Sequence, residues 1–315
     1  MPQFGYQVLG FGGGGSPPVL WKVHTFTSSG TFVVGASGGG DIEMMVYSGG
    51  GSGARGNDYG YYGGGGGGGA CNSSTNSSLY VSSPTLPLTN DITGGGWITI
   101  TVTNGYTYDV TIGAGQARNT GASGTTTAQK TTIITDDSGS DVYATEWAAN
   151  YRWGGGGGGI NGVGNGGAGG GGGASGGGSS HNGGSGSGLS TSYRWGGNGA
   201  AGWNTVYGGG GGGCNGHASA SVSTTSNTPG IGLSSTFRDG STSVTYATGG
   251  YGGNSSNDST AENDGDANTG DGGAGALYGQ NDAGNGGSGI AILRYPLTGG
   301  ASASGGTETT IAQKW

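Results

Sequence analysis

The residues that could perform acid–base catalysis or bind a metal are few and far apart. The three histidines, His24, His181 and His217, lie in no nucleophile motif. Cys214 and His217 are separated by two residues, but they supply fewer ligands than the four of a structural zinc site. The sequence therefore predicts a protein that is not an enzyme and that has no cofactor or bound metal.

One group of acidic residues could in principle hydrolyse a glycosidic bond. Asp136, Asp137, Asp141 and Glu146 lie close together in the sequence, and a glycosidase needs two carboxylates. However, Asp136-Asp137-Ser-Gly is typical of a turn, because aspartate and glycine adopt turn conformations readily. We interpret this segment as a turn.

A second acidic group lies between residues 258 and 271. Asp264, Asp266 and Asn268 have the spacing of the first ligands in a calcium-binding loop. The glycine that such a loop needs at its sixth position and the glutamate at its twelfth are both missing. We interpret this segment as a solvated acidic loop.

The two cysteines occupy similar places in the sequence. Cys71 and Cys214 each stand at the distal end of a long glycine tract, residues 63–69 and 208–213. If the two tracts lie side by side in parallel, the sulfur atoms approach each other and a disulfide can form. Two separate thiols are the alternative.

Aromatic residues are the better indication of function. The chain has 16 tyrosines and 7 tryptophans, and both residue types often anchor interfaces. Some are expected to pack where glycine tracts leave the sheet, and others to contact a glycan or a protein. The candidate receptor or partner contacts are Tyr59, Tyr61, Tyr62, Trp195, Trp203, Tyr246, Tyr251 and Tyr278.

Alternating apolar and polar residues predict β-strands in regions 21–48, 97–147 and 289–297. Asn104-Gly105 stands between two such runs and predicts a hairpin with a type I′ turn. No region has a helical period. We therefore predict an all-β fold, an antiparallel β-sandwich of the jelly-roll type with roughly eight strands.

Glycine tracts fill the regions between these strands, residues 49–96 and 148–288. Such sequences usually act as flexible linkers. Here strands hold both ends of each tract, and an aromatic residue such as Trp153 or Tyr207 directly precedes a tract. Because glycine has no Cβ, extended helices with three residues per turn can pack closely and bond to one another. We therefore predict a polyglycine II helix bundle inserted into the sandwich.

Composition and charge exclude several classes of partner. The chain contains 87 glycines among 315 residues, and its net charge is −8. Its nine basic residues form no cluster, so we expect no nucleic-acid binding. No apolar run approaches ~20 residues, so we expect no membrane insertion. The first residues lack the pattern of a secretory signal, so we expect assembly in a cytoplasm.

Five segments resemble glycine-rich virion and tail-fibre proteins of bacteriophages, particularly marine and cyanobacterial phages. They are residues 4–11, 21–34, 42–51, 98–115 and 286–296. The plan of a β-sandwich with polyglycine helices is more distantly similar to the ectodomain of anaplastic lymphoma kinase and to the tip adhesins of T-even-type phages. Similarity to those adhesins implies that segments 70–93, 179–195, 214–247 and 251–282 present loops to a receptor.

The resemblance leads to an expected function and location. We expect a virion structural protein, a tail fibre or appendage that presents rigid loops to a host-surface glycan or outer-membrane protein. It would be assembled in the host cytoplasm and exposed outside the cell after lysis. The alternative is a capsid-decorating or fibre-forming subunit that binds no receptor.

The expected organisation has three parts. Residues 1–20 form a docking arm and linker, residues 21–298 form the sandwich with its inserted bundle, and residues 299–315 form an attachment tail. We expect a homo-oligomer, preferably a trimer, that also contacts other virion proteins. The expected assembly contacts are Phe4, Tyr6, Leu9, Phe11 and Trp315.

Overall fold

The computed structural model shows an all-β protein. The described residues contain no α-helix, and the strand pairs are antiparallel, which confirms the predicted fold class at this level. Within the described part of the chain, no helix is long or apolar enough to cross a membrane. The described residues are 20–55, 63–69, 98–118, 133–135, 141–144, 146–147, 151–152, 188–189, 194–202, 208–218, 228–253, 264–276, 283–297 and 303–312.

The strands form two larger sheets and three short ladders. In chain order they are β1 (Leu20–Phe26), β2 (Gly30–Val34), β3 (Gly40–Tyr47), β4 (Ile98–Val102), β5 (Thr107–Thr111), β6 (Ile133–Thr135), β7 (Asp141–Ala144), β8 (Glu146–Trp147), β9 (Tyr151–Arg152), β10 (Gly188–Leu189), β11 (Arg194–Gly196), β12 (Leu233–Ser235), β13 (Val244–Tyr246), β14 (Ile290–Pro296), β15 (Ala303–Ser304) and β16 (Thr307–Ala312). The first sheet has the order β16-β1-β14-β3-β4, and the second has the order β15-β2-β5-β6-β7. The pairs β8–β9, β10–β11 and β12–β13 are separate.

Strand β14 is buried on both of its faces. Ala291, Leu293 and Tyr295 belong to one buried cluster, whereas Ile290 and Ile292 belong to another. Successive side chains of a strand point to opposite faces of its sheet, so the first sheet separates the two clusters. A strand covered on both faces has a nearly continuous apolar sequence, as Ile290-Ala-Ile-Leu does.

The first cluster contains residues of both five-stranded sheets. Met44 and Val46 come from the first sheet, and Phe32 and Tyr108 come from the second. The imidazole of His24 in β1 meets the Phe32 ring edge to face, with ring centres 5.1 Å apart. A buried cluster shared by two sheets is the packing that the predicted sandwich requires.

The β12–β13 hairpin covers the other face of the first sheet. Leu233 and Tyr246 of the hairpin share the second cluster with Met45 and Tyr47 of β3. The Tyr47 and Tyr246 rings stack with centres 4.7 Å apart and planes inclined by 10°. This contact holds the hairpin against the sheet, because stacked aromatic rings add to the free energy of apolar burial.

Arg294 fastens the end of the same hairpin to β14. Its guanidinium lies 3.8 Å from the centre of the Phe237 ring and 5.0 Å from the ring of Trp21. Its Nε donates to the carboxylate of Glu43 at 2.7 Å, and Nη1 donates to the Phe237 carbonyl at 3.3 Å. The hairpin is therefore held by apolar, cation–π and charged contacts together.

The predicted Asn104-Gly105 hairpin is wrong, although a turn is present. Strand β4 pairs with β3 in the first sheet, whereas β5 pairs with β2 in the second, so the turn connects two sheets. Gly105 has φ of 74°, but Asn104 does not have the positive φ that a type I′ turn requires. The Asn104 side chain instead accepts a hydrogen bond from the Gly39 amide.

The C-terminal segment belongs to the sheets, which corrects the predicted boundary at residue 298. Strand β15 pairs with β2, and β16 pairs with β1, so this segment contacts both sheets. The buried His24 lies 2.9 Å from the Gly305 carbonyl through Nδ1, and burial lowers the pKa of its imidazole. Of the predicted attachment tail, residues 303–312 are described and form β15, β16 and the turn between them, whereas residues 299–302 and 313–315 are not among the described residues.

Six glycine-rich segments form a buried network without strand pairing. We call them the glycine network: residues 48–54, 63–69, 208–213, 247–253, 270–276 and 283–289. Segments 63–69 and 208–213 run parallel, because Gly65 and Gly68 donate to the carbonyls of Gly209 and Gly212, each at 2.9 Å. The network is built from hydrogen bonds between backbone groups of different segments.

These hydrogen bonds recur every third residue. Gly63, Gly66 and Gly69 donate to segment 270–276, whereas Gly65 and Gly68 donate to segment 208–213. The carbonyls of residues 64 and 67 accept hydrogen bonds from segment 48–54. Residues three apart therefore face the same neighbour.

Replacing a central glycine tests this packing. Gly211→Ala would place a Cβ against the carbonyl oxygen of Gly66. We expect it to lower the free energy of unfolding by about 3 kcal/mol, because neighbouring backbone must move. Gly216→Ala is the matched control, since its Cβ would meet no atom closer than 3.4 Å. Urea unfolding measures both variants, and equal midpoints would contradict the described packing.

Candidate functional site

Most aromatic residues that the sequence nominated lie outside the described residues. The structure places Tyr251 at the surface, with 54% of its area exposed. Trp195 lies in β11, where the structure describes the backbone only. The contact candidates outside the described residues are Tyr59, Tyr61, Tyr62, Trp203 and Tyr278, and the assembly candidates there are Phe4, Tyr6, Leu9, Phe11 and Trp315. All of these remain predictions.

The prediction that Tyr246 contacts a receptor is wrong. Only 1% of its area is exposed, and its ring stacks on Tyr47 inside the second cluster. Because β13 is short and is followed by glycine-rich sequence, the local pattern around Tyr246 is typical of an exposed loop and does not indicate its burial. Burial of a large aromatic ring where a glycine segment leaves the sheet stabilises the fold, whereas the same ring left in solvent does not.

Cys214 lies at the end of segment 208–213 and is fully buried. Its amide donates to the Ala247 carbonyl at 2.9 Å, and its Sγ lies 3.7 Å from the Tyr246 carbonyl oxygen. The parallel arrangement of tracts 63–69 and 208–213, on which the predicted disulfide depends, is present. Cys71 lies outside the described residues, so the bridge stays a prediction.

Neither candidate metal motif gathers a ligand set in the described part of the chain. His217 accepts a hydrogen bond from the Asn198 amide at Nδ1, at 2.8 Å. Asp264 accepts hydrogen bonds from the backbone and side chain of Asn285, between 2.7 and 3.1 Å. Among described residues, no three His, Cys, Asp or Glu side chains lie where they could hold one ion. These side chains therefore fix backbone segments.

An open groove lies beside the glycine network and contains Tyr251. We call it the Tyr251 groove; its volume is about 390 Å³. One wall is β13 with the segment that follows it, and the other is the turn 264–271. Its lining includes the side chains of Thr245, Thr248, Tyr251, Asp264, Asp266 and Asp271.

The three-residue period explains why side chains collect in this groove. In segment 247–253, Gly249 and Gly252 face segment 208–213, where a Cβ would overlap carbonyl oxygens. Gly250 and Gly253 face segment 270–276 in the same way. The third face of segment 247–253, which carries residues 248 and 251, lines the groove. Thr248 and Tyr251 therefore occupy the face on which no neighbouring backbone forbids a side chain.

Segment 270–276 follows the same rule. Gly272 and Gly275 face segment 63–69, and Gly273 faces segment 283–289. The remaining face carries Asp271 and Ala274, and both residues line the groove. Two neighbouring segments thus turn their side-chain faces toward one groove.

Backbone hydrogen bonds hold these faces in place. The Tyr251 carbonyl accepts from Gly275, and the Thr248 carbonyl accepts from Gly272, both at 2.8 Å. The Thr248 amide in turn donates to Oδ1 of Asp271 at 2.7 Å. The two walls of the groove are therefore held to each other by backbone and side-chain hydrogen bonds.

Asp271 is the most perturbed acid of the groove. Burial raises the pKa of its carboxyl to about 6, although hydrogen bonds from Thr248 and Thr269 act in the opposite direction. The nearby Asp266 carboxylate also raises this pKa. The described lining residues include no Lys, Arg or His, so the groove carries negative charge at neutral pH.

Sequence reasoning found Tyr251 but not the rest of the groove. It treated residues 258–271 as a solvated loop and gave no role to Thr245 or Thr248. The signal was present in the spacing of Thr248 and Tyr251, which repeats the three-residue period of the tracts. This spacing predicts a shared exposed face only when neighbouring segments are known to cover the other two faces of segment 247–253.

Comparison with protein families identifies the class of domain. Residues 93–296 match the glycine-rich domain family. The chain therefore belongs to this family. No curated protein matches the sequence.

The raised pKa of Asp271 predicts how stability depends on pH. The folded chain keeps this proton up to about pH 6, whereas the unfolded chain loses it near the ordinary value of 3.8. Stability should therefore fall as pH rises from about 4 to about 6, by at most about 3 kcal/mol. Asp271→Asn should remove this contribution, as measured by urea unfolding at several pH values.

Asp239→Asn is the control of opposite sign. Burial is the largest single influence on the Asp239 carboxyl and raises its pKa, but the hydrogen bonds from the amides and hydroxyls of Thr242 and Ser241 together outweigh it and lower the pKa. Its carboxylate therefore contributes stability that is fully present above about pH 4 and is lost as pH falls further, so Asp239→Asn should lower stability throughout pH 4 to 6 and leave the decline across that window unchanged. A decline that Asp271→Asn leaves unchanged would contradict the assignment to Asp271.

Proposed function

We propose that this protein is a bacteriophage virion appendage, a tail fibre or a related structure, that presents the Tyr251 groove and neighbouring loops to a host surface. The glycine network is the observation that carries the proposal. Its hydrogen bonds join at least six segments of one chain, and they recur every third residue. A backbone network of this kind can fix the positions of surface residues in a chain that has no large apolar core.

The three-residue period supports polyglycine II helices as the conformation of the network. That conformation has three residues per turn and no internal hydrogen bonds, so its amides and carbonyls must bond to neighbouring chains. The interactions of segment 63–69 have this character, since its groups bond to segments 48–54, 208–213, 247–253 and 270–276. We propose that these segments are the helices of a polyglycine II bundle.

The composition also suits a particle that is exposed outside cells. Buried glycine backbone offers a protease neither the side chains nor the extended mobile segment that cleavage needs. The chain has few apolar side chains, so a backbone network supplies order that an ordinary core cannot. This combination favours a structural and recognition role over catalysis.

The assembly is proposed to be a homo-oligomer, with a trimer favoured, attached through the N-terminal arm. Strands β15 and β16 occupy most of the C-terminal segment within the sheets. They leave less of that segment available as a tail than the sequence indicated. Residues 1–20, with the apolar side chains at 4–11, are therefore the stronger candidate for docking.

Immunogold electron microscopy tests the proposed location. Antibodies against the purified full-length chain are applied to phage particles whose genome encodes it. We expect gold particles at the distal ends of fibres or other appendages. The particles of an unrelated phage serve as the control, and absence of label from intact virions would contradict the proposal.

The same experiment separates the alternative role. A capsid-decorating or fibre-forming subunit would be labelled over the capsid surface or along a shaft. Either of those patterns would favour a structural subunit without a receptor. The open groove favours the receptor-binding role, because a purely structural subunit has no need of an exposed Tyr251 above a negatively charged cleft.

A further inference from the structure

We propose that the Tyr251 groove binds a carbohydrate chain built of neutral or amino sugars and excludes anionic ones. This inference rests on the proposed function, because it names the chemical class of the host-surface ligand. Its support comes from the shape of the groove, its one exposed ring, its hydrogen-bonding groups and its charge.

The shape of the groove suits a chain rather than a compact metabolite. It is open, and its volume of about 390 Å³ lies near the lower end of the usual range for ligand sites. Its wall runs along the backbone from Thr245 to Tyr251. Thr245 lies in β13 and Ala247 has φ of 54°, so only the part of the wall from Thr248 to Tyr251 follows the proposed polyglycine II conformation, about 9 Å at ~3.1 Å per residue. An extended oligosaccharide can lie along such a wall.

Tyr251 supplies the apolar surface that a sugar ring needs. More than half of its area is exposed, and its carbonyl is held by Gly275. A pyranose ring has a face of C–H groups, and the negative face of an aromatic ring attracts these groups. Because tyrosine has only two side-chain torsions, little entropy is lost when its ring is covered.

The remaining side chains supply acceptors for sugar hydroxyl groups. Asp266 is exposed at the groove, and Asp271 lies deeper with Oδ1 bonded to the Thr248 amide. The Thr245 hydroxyl lies 2.8 Å from the Ser234 hydroxyl and the Thr248 hydroxyl is bonded to Asp271, so each already has one partner and retains a lone pair that can accept from a sugar hydroxyl. Asp264 has a different role, because both of its oxygens accept from Asn285. It positions the turn that carries Asp266.

The charge of the groove determines which sugars fit. The three aspartates of the lining, Asp264, Asp266 and Asp271, all belong to the turn that forms one wall of the groove, and the described lining contains no basic side chain. Uronate, sialate or phosphate groups would be repelled, whereas uncharged or protonated amino sugars would not. A divalent cation is a poorer candidate, since the described acids do not gather into a ligand set.

Binding to defined oligosaccharides tests the inference with the full-length chain. The probes are hexamers of N-acetylglucosamine, glucosamine and galacturonate, which are neutral, cationic and anionic. Saturation-transfer NMR and calorimetry measure contact and affinity. We expect one or both of the first two to bind, with signals strongest for ring C–H protons, and galacturonate not to bind. Binding of galacturonate, whether alone or together with the other probes, or of no probe at 10 mM, would overturn the inference.

Variants of the groove locate the binding. Tyr251→Ala should weaken binding about tenfold, and Tyr251→Phe should retain most of it, because the ring is preserved. Tyr106→Ala is the matched control, since Tyr106 is an exposed tyrosine of the β4–β5 turn, outside the groove. Asp266→Asn should also weaken binding without lowering the urea midpoint, because it removes a charge that repels the Asp271 carboxylate. Equal affinity of Tyr251→Ala and Tyr106→Ala would show that the sugar binds elsewhere.

An adsorption assay separates failure of this inference from failure of the proposed function. Purified chain is added to host cells before the phage particles. If wild-type and Tyr251→Ala chains block adsorption equally, the carbohydrate groove is refuted and the appendage role stands. If the hexamers bind at Tyr251 but gold labelling places the chain away from every appendage, the groove assignment stands and the appendage role fails.

Discussion

The absence of a Cβ at the contacts between glycine segments is the constraint on which the rest of the structure depends. Gly66 illustrates it: its amide donates to Gly273, its carbonyl accepts from Gly250, and a Cβ on its backbone would overlap the Gly51 carbonyl. One residue thus contacts three other segments through its backbone. Any larger residue would separate these segments and leave buried amides and carbonyls without partners, at a cost of about 1–3 kcal/mol each.

The sheets make this network possible because they fix where its segments begin and end. Ordering glycine is entropically costly, so isolated segments would not stay in place. Tyr47 and Tyr246 are the last residues of β3 and β13, Ile290 is the first of β14, and all three lie in the second cluster. The cluster therefore fixes segments 48–54, 247–253 and 283–289 at one common base, and the stacked rings of Tyr47 and Tyr246 strengthen it.

The local pattern of the sequence predicted where several strands lie but not which strands pair with each other. Alternation predicted the regions of β1 to β3 and of β14, because side-chain period is a local property. It missed the C-terminal β15 and β16, where Thr307–Ala312 is mostly exposed and shows no apolar alternation. It also predicted that β4 and β5 form a hairpin. Whether two consecutive strands pair with each other or join different sheets depends on contacts with residues that are distant in the sequence. The sequence predicts that an aromatic residue packs where a glycine tract leaves the sheet. Tyr47 and Tyr246 are buried at such positions, directly before segments 48–54 and 247–253.

A backbone network also decides where side chains for recognition can stand. In an ordinary core, packing and recognition compete for the same side chains, whereas here two faces of segment 247–253 are restricted to glycine by the neighbouring carbonyls. The third face, with Thr248 and Tyr251, makes no such contact with backbone, so its side chains can change without disturbing the backbone hydrogen bonds, and the side-chain hydrogen bond at stake is that of Thr248 to Asp271. Stability and the chemistry of the groove are thereby assigned to different residues of the same segment. Substitution at the positions of the third face changes the lining of the groove and leaves the glycine contacts of the other two faces in place.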